Sequence, residues 1–249
     1  MQIRDLVRVV PLAVAGTAAA LIAEVAWVAH RPLPRLEELD ASGLLGDHPG
    51  EPLRVVALGD STLTGPGLGT ADEIWLRRAF AGIELGRSVD ITSLARGGSR
   101  VADVRRRLAG TSLASADLVV LAVGGNDALH GTSARSFAAD LDAVLDTLLE
   151  QVPLVAVANI GNLGAIARIP PPLARVARRR GRALGRRIEA AVARHDRTML
   201  LDITVADRHF TDRSMYAPDL FHPNSTGHSL WAQAALPGLH RALGLQPDP

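Results

Sequence analysis

The chain has 249 residues, 47% hydrophobic and 21% charged, which is ample for the core of one ordinary domain plus an appendage. Lys+Arg 27 against Asp+Glu 26 leaves a formal net charge of +1, so no global field draws it to nucleic acid. The absence of cysteine excludes disulfides, thiolate nucleophiles and Cys-based zinc sites together.

From Val9 to Ala29 the residues are almost continuously apolar, broken by Pro11 and Glu24 and preceded by Arg4 and Arg8. About 20 such residues let a helix cross a bilayer, so 1–29 read as a transmembrane or signal-anchor segment; a cleaved secretion signal is the alternative. Arginines flank both ends, with Arg31 and Arg35 beyond the span, and the positive-inside rule leans only slightly toward an exported domain. That domain is expected to be extracytoplasmic and membrane-anchored, or secreted if the segment is cleaved. Residues 30–52, rich in Pro, Gly and charge, read as a linker stiffened at Pro32-Leu33-Pro34, with His48 a solvated loop residue.

From Leu53 onward apolar runs of β type alternate with helical patterns, and residues 53–245 read as one domain. Strands are expected at Leu53–Leu58, Val89–Leu94, Leu118–Val123, Leu154–Ile160 and Met199–Ile203. Helices are expected at Asp72–Leu85, Val101–Leu108, Ser136–Gln151, Leu173–Arg194 and Ser225–Leu243. Such alternation implies an α/β fold: a flavodoxin-like, three-layer α/β/α sandwich with a five-stranded parallel sheet, preceded by one N-terminal hydrophobic helix.

Four motifs fall at or just beyond strand ends. The run Arg54-Val55-Val56-Ala57-Leu58 ends in Gly59-Asp60-Ser61, which presents a hydroxyl where open α/β sheets bind ligands and makes Ser61 a candidate nucleophile. In Arg96-Gly97-Gly98-Ser99-Arg100 the two glycines let the backbone approach a ligand, and an exposed N–H there is suited to an oxyanion. In Gly124-Gly125-Asn126-Asp127, Asn126 offers a neutral N–H₂ donor, while Asp127 reads as a turn or cap residue. In Asp219-Leu220-Phe221-His222, an acid three residues before a histidine is placed to hold one imidazole nitrogen, provided the loop folds back.

In their order, these motifs resemble those of the SGNH hydrolases, also called GDSL esterases or lipases, here in a membrane-anchored bacterial form. The resemblance covers about Leu53 to Leu243. It implies that Ser61 is the nucleophile, His222 the general base and then acid, and Asp219 the residue that orients it. It also implies an oxyanion hole formed by the Ser61 N–H, Gly98 and Asn126, with Gly97 the alternative to Gly98. The family often carries Asn a few residues before that glycine, whereas this chain reads Ser93-Leu94-Ala95-Arg96. No Gly-x-Ser-x-Gly elbow surrounds Ser61, which argues against the common α/β-hydrolase arrangement.

The reaction so implied is hydrolysis of carboxylic esters through an acyl-enzyme, with no cofactor and no metal. Its substrates would be small-molecule, lipid or acylated-glycan esters, with a membrane contact through the N-terminal helix. Two alternatives remain: a non-catalytic, membrane-tethered envelope protein on the same fold, and a metal-dependent phosphoesterase, for which no early Asp-x-His pair is present. Residues 161–172, mixing Gly, apolar residues and a Pro run, read as a loop at the site's mouth or a connecting loop packed on the domain. The arginine-rich stretch from Arg175 to Arg187 reads as a solvated face or a contact for anionic lipid or polymer. Asp202, Asp207 and His209 read as turn and loop residues, His228 and Trp231 as packing residues, and Asn224-Ser225-Thr226 as a helix cap.

Overall fold

The computed structural model describes residues 36–245, together with residue 19 and residues 22–27, 30–32 and 34. The expected apolar span Val9–Ala29 lies mostly outside the described residues. Among the described residues, no helix is long and apolar enough to cross a membrane.

Six strands form a single sheet: β1 (Gly43–Leu45), β2 (Leu53–Gly59), β3 (Val89–Ser93), β4 (Leu118–Ala122), β5 (Val155–Ala158) and β6 (Thr198–Leu201), in the spatial order β1-β3-β2-β4-β5-β6. The last five are parallel and stand in flavodoxin order. The chain passes from β2 to β3 on one side and then crosses to β4 on the other. The end of β2 is therefore the topological switch point, and Ser61 follows it directly.

The five-strand expectation is corrected by β1, which runs antiparallel to β3 with Gly43 opposite Ile91. It comes from the segment read as a linker. Three residues carry no readable alternation, and what holds them is tertiary. The Arg77 side chain, 8% exposed and paired with Asp72, donates from Nη1 to the carbonyls of Ala41 (3.1 Å) and Ser42 (3.3 Å). Ala41 is fully buried, and Leu39 N–H donates to Thr64 O at 2.7 Å.

The pleat sends alternate residues to two cores. Val55, Ala57, Leu118, Val120, Ala156 and Ala158 face one; Val56, Leu58, Val119, Leu121, Val155 and Val157 face the other. The first is covered by helices α1 (Trp75–Ala81) and α6 (Ser225–Ala242), through Trp75, Leu76, Phe80, Ala235 and Leu239. The second is covered by α2 (Val101–Leu108), α4 (Ala134–Leu149) and α5 (Pro171–Val192), through Val104, Phe137, Leu141, Leu184 and Ile188. A single-turn helix, α3 (Gly125–Leu129), follows β4. Each large side chain so buried contributes roughly 1.5–3 kcal/mol, so the two cores carry the stability of the sandwich.

One expected element is modified and one, α3, was not expected. The helix expected over Asp72–Leu85 is a 3-10 turn, Ala71–Glu73, and then α1, because Ile74 between them is extended (φ −63°, ψ 131°). The short α3 has too few residues for a period to show. Elsewhere caps fix helix starts as the sequence leads one to expect: the Asn224 side chain accepts from the Thr226 and Gly227 amides at the start of α6.

Replacing Arg77 by Met keeps the apolar stem but removes the donors that hold residues 41–43. Urea unfolding is expected to show a loss of roughly 1–3 kcal/mol, and hydrogen exchange to quicken at the β1 amides before the rest of the sheet. Unchanged exchange there would show that β1 is held by other contacts.

Candidate active site

The turn after β2 is shaped by backbone proximity. Gly59 has φ +152°, and a Cβ there would overlap the Ala122 carbonyl of neighbouring β4, so only glycine lets the two strands close at this end. Asp60 N–H donates to Ala122 O at 3.1 Å. The buried Asp60 carboxylate then accepts from the Thr62 amide (3.0 Å) and hydroxyl (2.9 Å), and Gly65 N–H donates to Ser61 O at 3.0 Å. These bonds leave the Ser61 side chain at the mouth of a cleft.

The loop carrying Asp219 and His222 folds back onto it. Leu220 sits between them with φ +59°, a left-handed conformation that costs a branched residue about 1–3 kcal/mol. The loop is held from both sides: Arg168 N–H donates to Leu220 O at 2.9 Å, Leu220 N–H to Ala217 O at 2.8 Å, and Ala217 N–H to His222 O at 2.8 Å. In that shape Asp219 Oδ1 accepts from the Phe221 (2.9 Å) and His222 (3.1 Å) amides. Its Oδ2 lies 2.6 Å from His222 Nδ1, and His222 Nε2 lies 3.2 Å from Ser61 Oγ.

The network assigns the imidazole proton to Nδ1, leaving the Nε2 lone pair to accept from the serine hydroxyl. Burial pushes the Asp219 carboxyl up, but the imidazole, the two amides and the histidine's charge outweigh it and hold the group below the usual carboxylate range. Asp219 is thus an anion beside the imidazole, able to stabilise an imidazolium.

Loops at neighbouring strand ends carry the residues expected as oxyanion donors. Among the described residues, the N–H groups of Ser61 and Gly98 donate to no protein atom. Asn126, at the start of α3, directs Nδ2 toward Ser99 O (3.2 Å) and Asp60 Oδ2 (3.5 Å), which brings the loop after β3 against the turn after β4. The two glycines of that loop differ. Gly97 N–H already donates to Glu38 Oε2 at 2.9 Å, whereas Gly98, at φ +73°, has open space around its Cα.

A GDSL-like lipase/acylhydrolase family model matches residues 57–230. The chain belongs to this family. It is an ester-bond hydrolase on that membership. Solved structures of the same fold include a lipolytic protein of the G-D-S-L family from Veillonella parvula, at 18% identity and TM-score 0.61, covering 76% of this chain and 98% of that one. TesA aligns at 21% identity and TM-score 0.60 over 76% of this chain and 99% of its own. The esterase EstA from Pseudoalteromonas aligns at 17% and 0.60, covering 77% of this chain and 99% of its own. No curated protein matches the chain.

In this GDSL-family hydrolase a cavity of about 110 Å³ opens beside Ser61. Asp60, Ser61, Asn126 and His222 line one part; Val123, Leu129, Ile160, Leu163, Phe210 and Trp231 line much of the rest. Leu163 comes from the 3-10 turn Leu163–Ala165, so the loop 161–172 does border the cleft. Trp231 and His228 are buried as expected of packing residues, and Trp231 is also a cavity wall. Burial lowers the His228 pKa to about 3, helped by the charges of Arg78 and His222, so the neutral ring accepts Trp75 N–H at Nδ1 (3.1 Å).

Other residues singled out in the sequence have structural roles, and one of them, Asp207, also borders the cavity. Asp127 Oδ2 accepts from Val101 N–H at 3.0 Å and so caps α2, a helix distant in sequence. Asp202 forms its own turn with Thr204, while Asp207 is raised by burial, accepts from Asn162 N–H at 2.8 Å and lines the cavity. Of the arginine-rich helix, Arg180 is structural, donating to Ala128 O and Thr132 O, while Arg175, Arg178, Arg179, Arg182, Arg186 and Arg187 are exposed. Among the described residues, no three His, Cys, Asp or Glu side chains gather as a metal site.

Sequence reasoning passed over Asp60 as an ionisable group and Glu38 altogether. Burial, against the Thr62 hydrogen bonds and the His222 charge, pushes Asp60 up to about 6. A carboxyl that binds its proton more tightly folded than unfolded, where its pKa is about 3.9, stabilises fully below that value and loses the contribution as pH rises toward 6. The Asp60→Asn variant lacks this titration, so its stability relative to the parent should rise between pH 4 and pH 7 by on the order of 2–3 kcal/mol. Urea unfolding at both pH values checks this; a constant difference would show an unperturbed carboxyl.

Proposed function

We propose that the protein is a serine esterase that hydrolyses carboxylic esters of apolar acyl groups through a covalent acyl-enzyme on Ser61. The observation that carries this is the continuous contact from Asp219 through His222 to the Ser61 hydroxyl, at 2.6 Å and 3.2 Å, at the switch point of the sheet. His222 Nε2 takes the hydroxyl proton as Oγ attacks the ester carbonyl. The new C–O bond sends the carbonyl π electrons to oxygen, and the Ser61 and Gly98 amides with the Asn126 side chain receive the oxyanion. Collapse of the tetrahedral adduct breaks the bond to the alcohol, which leaves with the proton carried by His222. Water then repeats the sequence to release the acid. Asp219 remains ionised throughout and fixes the tautomer.

The apolar wall formed by Ile160, Leu163, Phe210 and Trp231 favours an acyl chain of several carbons over acetyl. The apolar run from Val9 to Ala29, with Arg4 and Arg8 before it, supports a tether that keeps the domain at a membrane on its extracytoplasmic side.

A fluorophosphonate probe should label the full-length protein, and labelling should vanish in Ser61→Ala with folding retained. His222→Gln is expected to lower kcat about 10⁶-fold and Asn126→Ala about 10²–10³-fold with little change in KM. Parental turnover by Ser61→Ala would refute the nucleophile. In a p-nitrophenyl ester series, kcat/KM should rise from acetyl to hexanoyl, and a maximum at acetyl would refute the acyl-pocket reading.

If the tether is present, the protein should stay in the membrane fraction after alkaline carbonate washing. Release by carbonate would remove that part of the proposal.

A further inference from the structure

The adjacent glycines after β3 have different tasks. A Cβ on Gly97 would meet the Glu38 carboxylate as it stands, and the Gly97 N–H donates to Glu38 Oε2 at 2.9 Å. Gly98 has an open Cα and, among the described residues, an N–H with no acceptor. A Gly-Gly pair is the most permissive dipeptide in φ and ψ, and without an anchor it would present the second N–H in many directions. Glu38 stands 59 residues upstream of Gly97 in sequence, yet its carboxylate reaches the loop at this pair.

Glu38 is exposed, and it is the backbone beside it that is anchored. Its neighbour Leu39 donates from N–H to Thr64 O at 2.7 Å, within the turn that follows Ser61, and Ser42 Oγ accepts from Ser93 N–H at 2.9 Å at the end of β3. The segment before β1 thus ties the nucleophile turn and the glycine loop together from outside the sheet. Arg96 N–H to Gly59 O (3.0 Å) and Ser99 N–H to Arg96 O (3.2 Å) hold the flanks of the loop, leaving the Gly97-Gly98 peptide as the part that Glu38 controls.

We propose that Glu38 is a positioning residue: by fixing the Gly97 peptide it presents the Gly98 N–H to the oxyanion of the tetrahedral adduct. This rests on the serine-esterase reading above. Because Glu38 acts on a donor used only when the oxyanion forms, its removal lowers kcat and leaves substrate binding alone. The hydrogen bond requires an acceptor oxygen and not a charge, so a side-chain amide serves.

The experiment compares the full-length parent with Glu38→Gln, which keeps an acceptor, and Glu38→Met, which keeps the length and loses it. For each, kcat and KM are measured on one p-nitrophenyl ester, with the inhibition constant of phenylboronic acid, whose serine adduct is a tetrahedral anion, and the Tm. Glu38→Met is expected to lose about 10- to 100-fold in kcat, with KM within about twofold and weaker boronate inhibition in proportion, while Glu38→Gln stays within about threefold of the parent.

The proposal is overturned if Glu38→Met keeps its kcat, if the loss lies in KM, or if Glu38→Gln falls as far as Glu38→Met. Fluorophosphonate labelling of the parent separates the two levels. With labelling present and Glu38→Met unimpaired, only the role of Glu38 fails; with labelling absent from the folded parent, the esterase reading fails and this inference with it.

Discussion

A carboxylate can orient a histidine only three residues away if the chain between them turns sharply, and the arrangement of this site depends on that constraint. Leu220 meets it by adopting a left-handed backbone. The strain is held by hydrogen bonds from the Arg168 amide and within the 217–222 loop. With the turn in place, Asp219 receives two amides and an imidazole nitrogen on a largely buried carboxylate, and the other face of the ring is free to meet Ser61. Without it the same four residues would be an ordinary polar loop.

The serine is brought to the ring by the sheet. Flavodoxin order opens a crevice at the end of β2, and the absent side chain of Gly59 lets β2 and β4 remain close where the chain leaves the sheet. The same ends deliver Asn126 after β4 and the glycine loop after β3, and Asn126 Nδ2 toward Ser99 O joins the two. The covering helices α1 and α6 add Trp75 and Trp231 as walls, which gives the cleft an apolar side opposite its polar one.

Titratable groups near the serine are tuned in opposite directions by position. Asp219 is drawn down by the donors it accepts, whereas Asp60, one residue before the serine, is pushed up by burial that its two bonds from Thr62 do not offset. His228 is driven strongly toward the neutral form. Two carboxyls near the serine are therefore shifted in opposite directions, and the one that touches the imidazole is the one held in its ionised form. This assignment suits a site in which the histidine must gain and lose a proton while its partner does not.

The sequence by itself determined the sheet and the chemistry it displays. Buried strands such as Leu118-Val119-Val120-Leu121-Ala122 are long, continuous apolar runs, and Gly-Asp-Ser, Gly-Asn and Asp-x-x-His stand directly after strands or in loops, so local pattern sufficed to read the α/β order and name Ser61, Asn126, Asp219 and His222 as candidates. What depends on contacts between distant residues had no local signature. The strand Gly43–Leu45 is too short for alternation and exists because Arg77 binds the carbonyls beside it. That the Gly97 N–H is taken by a carboxylate 59 residues away while the Gly98 N–H is left open was equally closed to sequence. Periodicity and turn chemistry are properties of neighbours along the chain; closeness, burial and the occupancy of a hydrogen-bond donor are properties of the folded molecule, and only the tertiary structure decided them.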